Sequence, residues 1–370
     1  MPVIIIFLSK TTYKFKIKSA MQKIFILAAL LVNIFSMQSY ASEKSNITVR
    51  VPEKYIALAT GAKPEIFITG EISDETIANF IATIVVQKIK GGTVYLNSPG
   101  GSLMAGIELG KIIRKNGFST NVGIKDGNYG DSKAGECYSS CVFAYIGGYY
   151  RYMNIKSQLG VHRFSKVKTT ANDLDIGQIV SAAITNYLKE MDVDVEFFTF
   201  MTKSSRDEIY ILSDIENKNL RVVNNGTLPT TWNLVSTQDI MYLKGEQETW
   251  RGTGKFIFNC FKGTLVATIM YEAGENANLI ANTATKYSLR IDQEFISIPK
   301  LLRTVEVTND FVGTLFMIDQ MMFSKILRSN QIGFAFHPQN PDLFYGFVVD
   351  TKNGLEKINN YSKFCISQRR

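Results

Sequence analysis

The sequence predicts an α/β unit over residues 65–225 followed by a smaller, mostly β unit over 226–370. Two patterns and one break between them carry that expectation. In the first unit, short β-branched runs alternate with stretches of helical apolar spacing, the signature of βαβ units and a parallel sheet. Past about Asn225 the segments become short and mostly aromatic or β-branched, with turn-like spacers between them. At the junction, Asn224-Asn225-Gly226 with Pro229 reads as a linker.

The first forty-one residues stand apart from both units. Met21-Gln22-Lys23 precedes an apolar run from Ile24 to Phe35, broken only by Asn33, and small residues follow at Ser39 and Ala41. That order is a secretory leader cut near Ala41, and it predicts a periplasmic or secreted protein. The apolar run is shorter than the roughly 20 residues a membrane span needs, so a membrane role is expected only if the leader stays uncleaved. Residues 1–20 either lengthen the charged region or precede a start at Met21. Residues 42–64 are expected to be an N-terminal extension.

The leader also accounts for most of the net charge. Removing its five lysines from the 41 basic residues leaves 36 against 33 acidic ones. With a balance of about +3 and no basic stripe interleaved with aromatics, nucleic acid is not an expected partner.

Within the first unit, Glu65-Ile-Phe-Ile-Thr-Gly70 is a short β-branched run that opens it. Asp74 to Lys90 follows with Ile77, Phe80, Ile81, Ile84, Val85 and Ile89 at helical spacing, and Ser73 or Asp74 as N-cap. Thr93–Asn97 is a strand, Leu103 to Asn116 a helix closed by Gly117, and Phe118 to Ile124 a strand. Lys125 to Glu136 is a polar, Gly-rich loop that could cover a pocket. Cys137 to Gly148 is a turn into a buried helix, Gln158 to Phe164 a strand, and Leu174 to Met191 a long amphipathic helix. In the second unit, strands are expected at 255–261, 264–271, 288–291, 333–337 and 343–349.

Four cysteines follow the leader: Cys137, Cys141, Cys260 and Cys365. An even number in an exported chain is most simply two disulfides. A Cys260–Cys365 bond would close a loop over the whole second unit, stabilising it by roughly 3–5 kcal/mol on chain-entropy arguments. Cys137 and Cys141 would bridge only with strain inside one helix, but the strain relaxes if the helix begins near Ser139. Two buried thiols are the alternative. Neither His162 nor His337 stands beside a cysteine pair at zinc-like spacing, so no metal is expected.

Three segments carry chemistry. Leu96-Asn97-Ser98-Pro99-Gly100-Gly101 lies at a strand's C-terminal end, where open α/β sheets bind ligands, and its glycines let backbone N–H groups approach closely. Cys137-Tyr138-Ser139-Ser140-Cys141 precedes the apolar Val142 to Gly148. Its serines are either N-caps or a nucleophile at a helix N-terminus, where N–H groups favour negative charge. Leu159-Gly160-Val161-His162-Arg163-Phe164 holds the one histidine of this unit.

Together these segments, over about residues 60–225, resemble the Clp protease proteolytic subunit and its crotonase-fold relatives. The Cys-x-Ser-x-Cys form, with Gly160-Val-His-Arg-Phe164 downstream, is more similar still to a group of exported bacterial Clp-like proteins. The resemblance implies a ββα superhelix in which Ser139 attacks an acyl carbon, His162 takes its proton, and the N–H groups of Gly101 and Ser140 form the oxyanion hole. It requires an acid at a position that falls near Ile209, so Asp207, or failing it Glu208, must reach in with a register shift. It also implies a homo-oligomer and a peptide or other acyl substrate, with no cofactor; acyl-CoA chemistry fits an exported chain poorly. The competing expectation is a binding protein that kept the fold and lost efficient catalysis.

Overall fold

A computed structural model describes residues 44–127, 129–164, 173–205, 207–237, 240–340 and 343–368. The leader expected over 1–41 lies outside the described residues. The architecture is mixed α/β, and its buried apolar side chains gather in two clusters, one from residues 66–222 and one from 232–361.

The elements of the first half are β1 (Asn46–Arg50), α1 (Lys54–Thr60), β2 (Glu65–Thr69), α2 (Asp74–Val86), β3 (Gly92–Asn97), α3 (Leu103–Lys115), β4 (Phe118–Val122), β5 (Ile124–Lys125), β6 (Ser132–Lys133), β7 (Glu136–Tyr138), α4 (Ser140–Ile146), β8 (Arg151–Met153), β9 (Gln158–Val161), α5 (Asp173–Glu190), α6 (Phe197–Met201), β10 (Tyr210–Ile211) and α7 (Asp214–Asn219). One sheet runs in the order β1-β2-β3-β4-β8, parallel throughout except for β1. Ile66, Ile68, Val94, Leu96 and Val122 are buried on it and share one core cluster with Phe80 of α2 and Leu109 and Ile113 of α3. Ser73 caps α2 in a reciprocal capping box with Thr76, and Ser102 caps α3. A second, three-stranded sheet runs β10-β9-β7.

Residues 46–50, within the stretch expected as an N-terminal extension, join the first sheet. Strand β1 pairs antiparallel with β2, and Arg50 at its end pairs with Glu65 at 2.6 Å in a largely buried setting. The same guanidinium donates to the carbonyls of Asp126, Gly127 and Asp131, pinning the polar loop expected at 125–136. Tyr95 donates to the other Glu65 oxygen, and burial with that carboxylate pushes its phenol up to about 12.

Arg151 on β8 is 1% exposed and forms no ion pair among the described residues. It donates instead to the carbonyls of Ile146, Gly148, Met191, Arg221 and Val222, and burial lowers its pKa to about 10. The expected linker is bonded to the same strand. Asn224 Oδ1 accepts from the N–H of Arg151, and the N–H groups of Asn224 and Asn225 both donate to its carbonyl.

The second half contains β11 (Thr231–Ser236), β12 (Met241–Thr249), β13 (Gly252–Phe261), β14 (Thr264–Glu272), α8 (Ala277–Thr283), β15 (Lys286–Ile291), β16 (Glu294–Ser297), β17 (Arg303–Thr308), β18 (Phe311–Met317), α9 (Gln320–Ile326), β19 (Gln331–His337), β20 (Tyr345–Asp350) and α10 (Leu355–Ser367). Its strands form a six-stranded sheet, β11-β12-β13-β14-β18-β17, and a four-stranded one, β16-β15-β19-β20. The β content matches the expectation, but the chain ends in a helix. Ile358, Tyr361, Ser362 and Cys365 form the buried stripe of α10, and Cys365 bonds to Cys260 of β13 with Cα atoms 5.3 Å apart. Tyr149 and Tyr150, just before β8, both donate to the Glu248 carboxylate on β12.

Replacing Arg151 by Ala strips five carbonyls of a shared donor inside the core. The expected loss is about 4 kcal/mol or more in chemical denaturation, and Arg151→Lys, with three donors on one point, recovers little of it.

Candidate active site

The chain leaves β7 at Tyr138 and enters α4 at Ser140, and Ser139 alone makes the turn. Its φ of 56° and ψ of −123° place a non-glycine residue in a sparsely populated region, which costs about 1–3 kcal/mol and is commonest at functional sites. The Ser139 N–H donates to the Gly160 carbonyl on β9 at 2.9 Å, which locks the turn to the second sheet. Ser139 occupies the N-cap position, yet its side chain caps nothing, so the hydroxyl is not used in holding the helix.

Against this turn lies the strand end at Asn97–Gly101. A parallel bridge joins Ser98 to Cys137, with Ser98 N donating to the Glu136 carbonyl and Tyr138 N to the Ser98 carbonyl. Gly100, at φ 109°, runs so close that an added Cβ would meet the Ser139 Cβ at 2.7 Å and its Oγ at 3.3 Å. At Gly101, φ 147°, a Cβ would fall 2.2 Å from the Ile72 carbonyl oxygen. Residue 101 bridges Ile72 through its neighbours: Ile72 donates to the Gly100 carbonyl and Ser102 to that of Ile72. The Gly101 N–H is therefore turned to the opposite side. The Ser140 N–H is the first of α4 and has no acceptor within the helix.

Ser139, Ser140, Gly101 and His162 line one cavity of about 430 Å³, together with Pro99, Ser102, Leu103, Phe143, Val161, Phe164 and Met201. His162 follows the last residue of β9 and is half-buried. Its Nδ1 lies 2.8 Å from the Arg163 carbonyl oxygen, and with Nδ1 protonated the ring leaves Nε2 as its base. No hydrogen bond joins Ser139 Oγ to His162 among the described residues; such contacts are often long before substrate arrives. A second, mostly apolar recess of about 230 Å³, lined by Arg163, Phe164, Phe198, Met201 and Thr202, shares Phe164 and Met201 with the first.

Asp207 and Glu208 are not brought to this cavity. Both are exposed, and neither is joined to His162 by a hydrogen bond or ion pair among the described residues. Pairing explains why. Tyr210 lies opposite Val161 and Ile211 opposite Gly160, so one step further along that register Ile209 falls opposite His162. The position that would hold an orienting acid is occupied by an isoleucine.

The two cysteines flanking Ser139 form a disulfide, with Cα atoms 5.3 Å apart. Cys137 lies in β7 and Cys141 in the first turn of α4, so the bond does not have to span an unbroken helix. No described residue of the loop at 125–136 lines the cavity of Ser139. Asp126, Gly130, Asp131, Ser132 and Ala134 instead line a separate recess with Met153, Asn154 and Ile155. Among the described residues no group of histidine, cysteine and acidic side chains could hold a metal ion, and no helix is long and apolar enough to cross a membrane. Sequence reasoning gave no site role to Phe143, which stands in the Val142-Phe143 pair after Ser139, or to Met201, which carries no motif; both reach the cavity from helices.

No family model matches the chain, and no curated protein matches it. Among solved structures it is similar to a mutant of the membrane-bound stomatin-specific protease 1510-N, at 15% identity and a TM-score of 0.32, over 43% of this chain and 75% of that one. A likeness at that level leaves the reading of the site to its own residues.

Two substitutions separate the local roles. Gly100→Ala should cost at least about 2 kcal/mol, because the new methyl cannot fit without displacing Ser139. Ser140→Ala should raise stability by about 1 kcal/mol, since its Oγ is buried with no hydrogen-bond partner among the described residues. Thermal or urea melts of both variants check this pair.

Proposed function

We propose that the chain is an exported serine hydrolase of the Clp-protease type, acting on peptides or other acyl substrates outside the cytoplasm. The observation that carries this reading is the Ser139 hydroxyl, which caps no helix N–H and is held at positive φ against Gly100 in the cavity that His162 also lines. Two disulfides fit a chain that folds in an oxidising compartment.

In this reaction Ser139 Oγ attacks the acyl carbon while His162 Nε2 takes its proton. Charge developing on the acyl oxygen is met by the N–H groups of Gly101 and Ser140, and removal of one such donor typically costs about 10²–10³ in rate. The proton passes from His162 to the leaving group, and water then releases the acyl group from Ser139 by the same steps in reverse order. The Arg163 carbonyl does what the family's acid would do for the ring, accepting from Nδ1–H and fixing the tautomer. A neutral carbonyl stabilises the imidazolium less than a carboxylate, so a slow enzyme is expected. The apolar recess at Phe198 and Met201 offers room for a side chain of the acyl group. We further propose that the catalytic chain associates with copies of itself, with no cofactor.

The isoleucine opposite His162 also favours a second reading, a binding protein with the same cavity and little chemistry. Fluorophosphonate labelling separates the two. The oxidised wild type should label, Ser139→Ala not at all, and His162→Ala about 10²–10⁴ more slowly. Asp207→Ala and Glu208→Ala should label like the wild type. A folded wild type that never labels moves the conclusion to the binding protein.

A further inference from the structure

Helix α4 begins where its first turn has little of its own to hold it. It is seven residues long and has no acidic residue in its first turn. Its N-cap Ser139 is strained and donates no capping oxygen, whereas α2 and α3 have the Ser73 and Ser102 side chains. A helix this short is not self-sustaining in water. In place of a cap it has a covalent tie. The bond from Cys137, the middle residue of β7, to Cys141, the second residue of α4, encloses Tyr138, Ser139 and Ser140 in one small ring. Both cysteines are fully buried in the core cluster of this unit.

We propose that the Cys137–Cys141 disulfide is the positioning device for Ser139, so that the site exists in the oxidised chain alone. The proposal rests on Ser139 being the nucleophile, but its structural half stands without it. In forming the bond, the two thiols each release a proton and together give two electrons to an incoming disulfide, whose own S–S bond breaks as it leaves as two thiols. A dithiol drives the reverse exchange. Because both sulfurs are sealed from solvent, exchange belongs to folding rather than to the folded state. Before it is oxidised, the same polypeptide therefore carries no reactive serine, and the hydrolase is silent in a reducing compartment. The second disulfide, Cys260–Cys365, lies in the other half, with Cys260 packed against the second core cluster, which makes it an internal control.

The test compares the wild type, C137A/C141A and C260A/C365A by hydrogen exchange of the α4 amides and by fluorophosphonate labelling rate. In C137A/C141A the α4 amides should exchange about tenfold faster or more while those of α2 and α3 keep their rates. Labelling should fall by about 10², the cost of misplacing a reacting group by an ångström. C260A/C365A should keep both properties below its own unfolding temperature. If α4 protection in C137A/C141A is unchanged, or labelling stays within about threefold of wild type, the proposal is overturned. If the wild type does not label but α4 loses protection as described, the nucleophile reading fails and the structural lock stands. Should C137A/C141A not fold, C137V/C141A, which restores most of the lost volume, takes its place in both measurements.

Discussion

A buried guanidinium, held by backbone carbonyls and in no ion pair among the described residues, organises the first half of the chain. Arg151 draws together carbonyls from the end of α4, the turn after α5 and the segment leading out of α7. A buried charge is tolerable only when its hydrogen bonds are complete, and backbone carbonyls at a helix C-terminus supply both acceptors and a favourable dipole. Helix α4 is therefore fixed at its far end by Arg151 and at its near end by a disulfide, with Ser139 at the near end. The strain at that residue persists because both ends of its helix are over-determined.

The same strand carries the junction between the two cores. Arg151 holds Asn224 and Asn225 through its backbone, and the two tyrosines before it reach the Glu248 carboxylate on β12. What looks in sequence like a tether is a bonded turn. The second half is thus attached through the strand that also anchors α4, on the side of that helix away from the cavity.

Much of the first half was legible because its elements obey simple periods. Ile77, Phe80 and Ile84 mark α2, and Ser73 caps it as its residue type suggests. The three chemical segments were legible as well, since glycine pairs and a lone histidine are conspicuous. The acid was not. Asp207 and Glu208 differ from Ile209 by two residues or fewer, and a strand register that decides which one faces His162 is fixed by pairing with β9 rather than by the residues themselves. Strand β1 was hidden because its partner is β2, whose own pattern already looked complete. Helix α10 could have been found: Ile358, Tyr361, Ser362 and Cys365 recur at helical spacing, but the polar Ser362 within the stripe weakened the signal.

The Cys260–Cys365 bond has a topological consequence beyond stability. It closes residues 260–365, most of the second half, into a covalent ring whose ends are 105 positions apart in sequence. One cut in any loop of that ring opens it without releasing a piece, and the cut chain stays a single covalent molecule with its sheets in register. A chain exposed to proteases can thus be nicked at the surface and remain in one covalent piece.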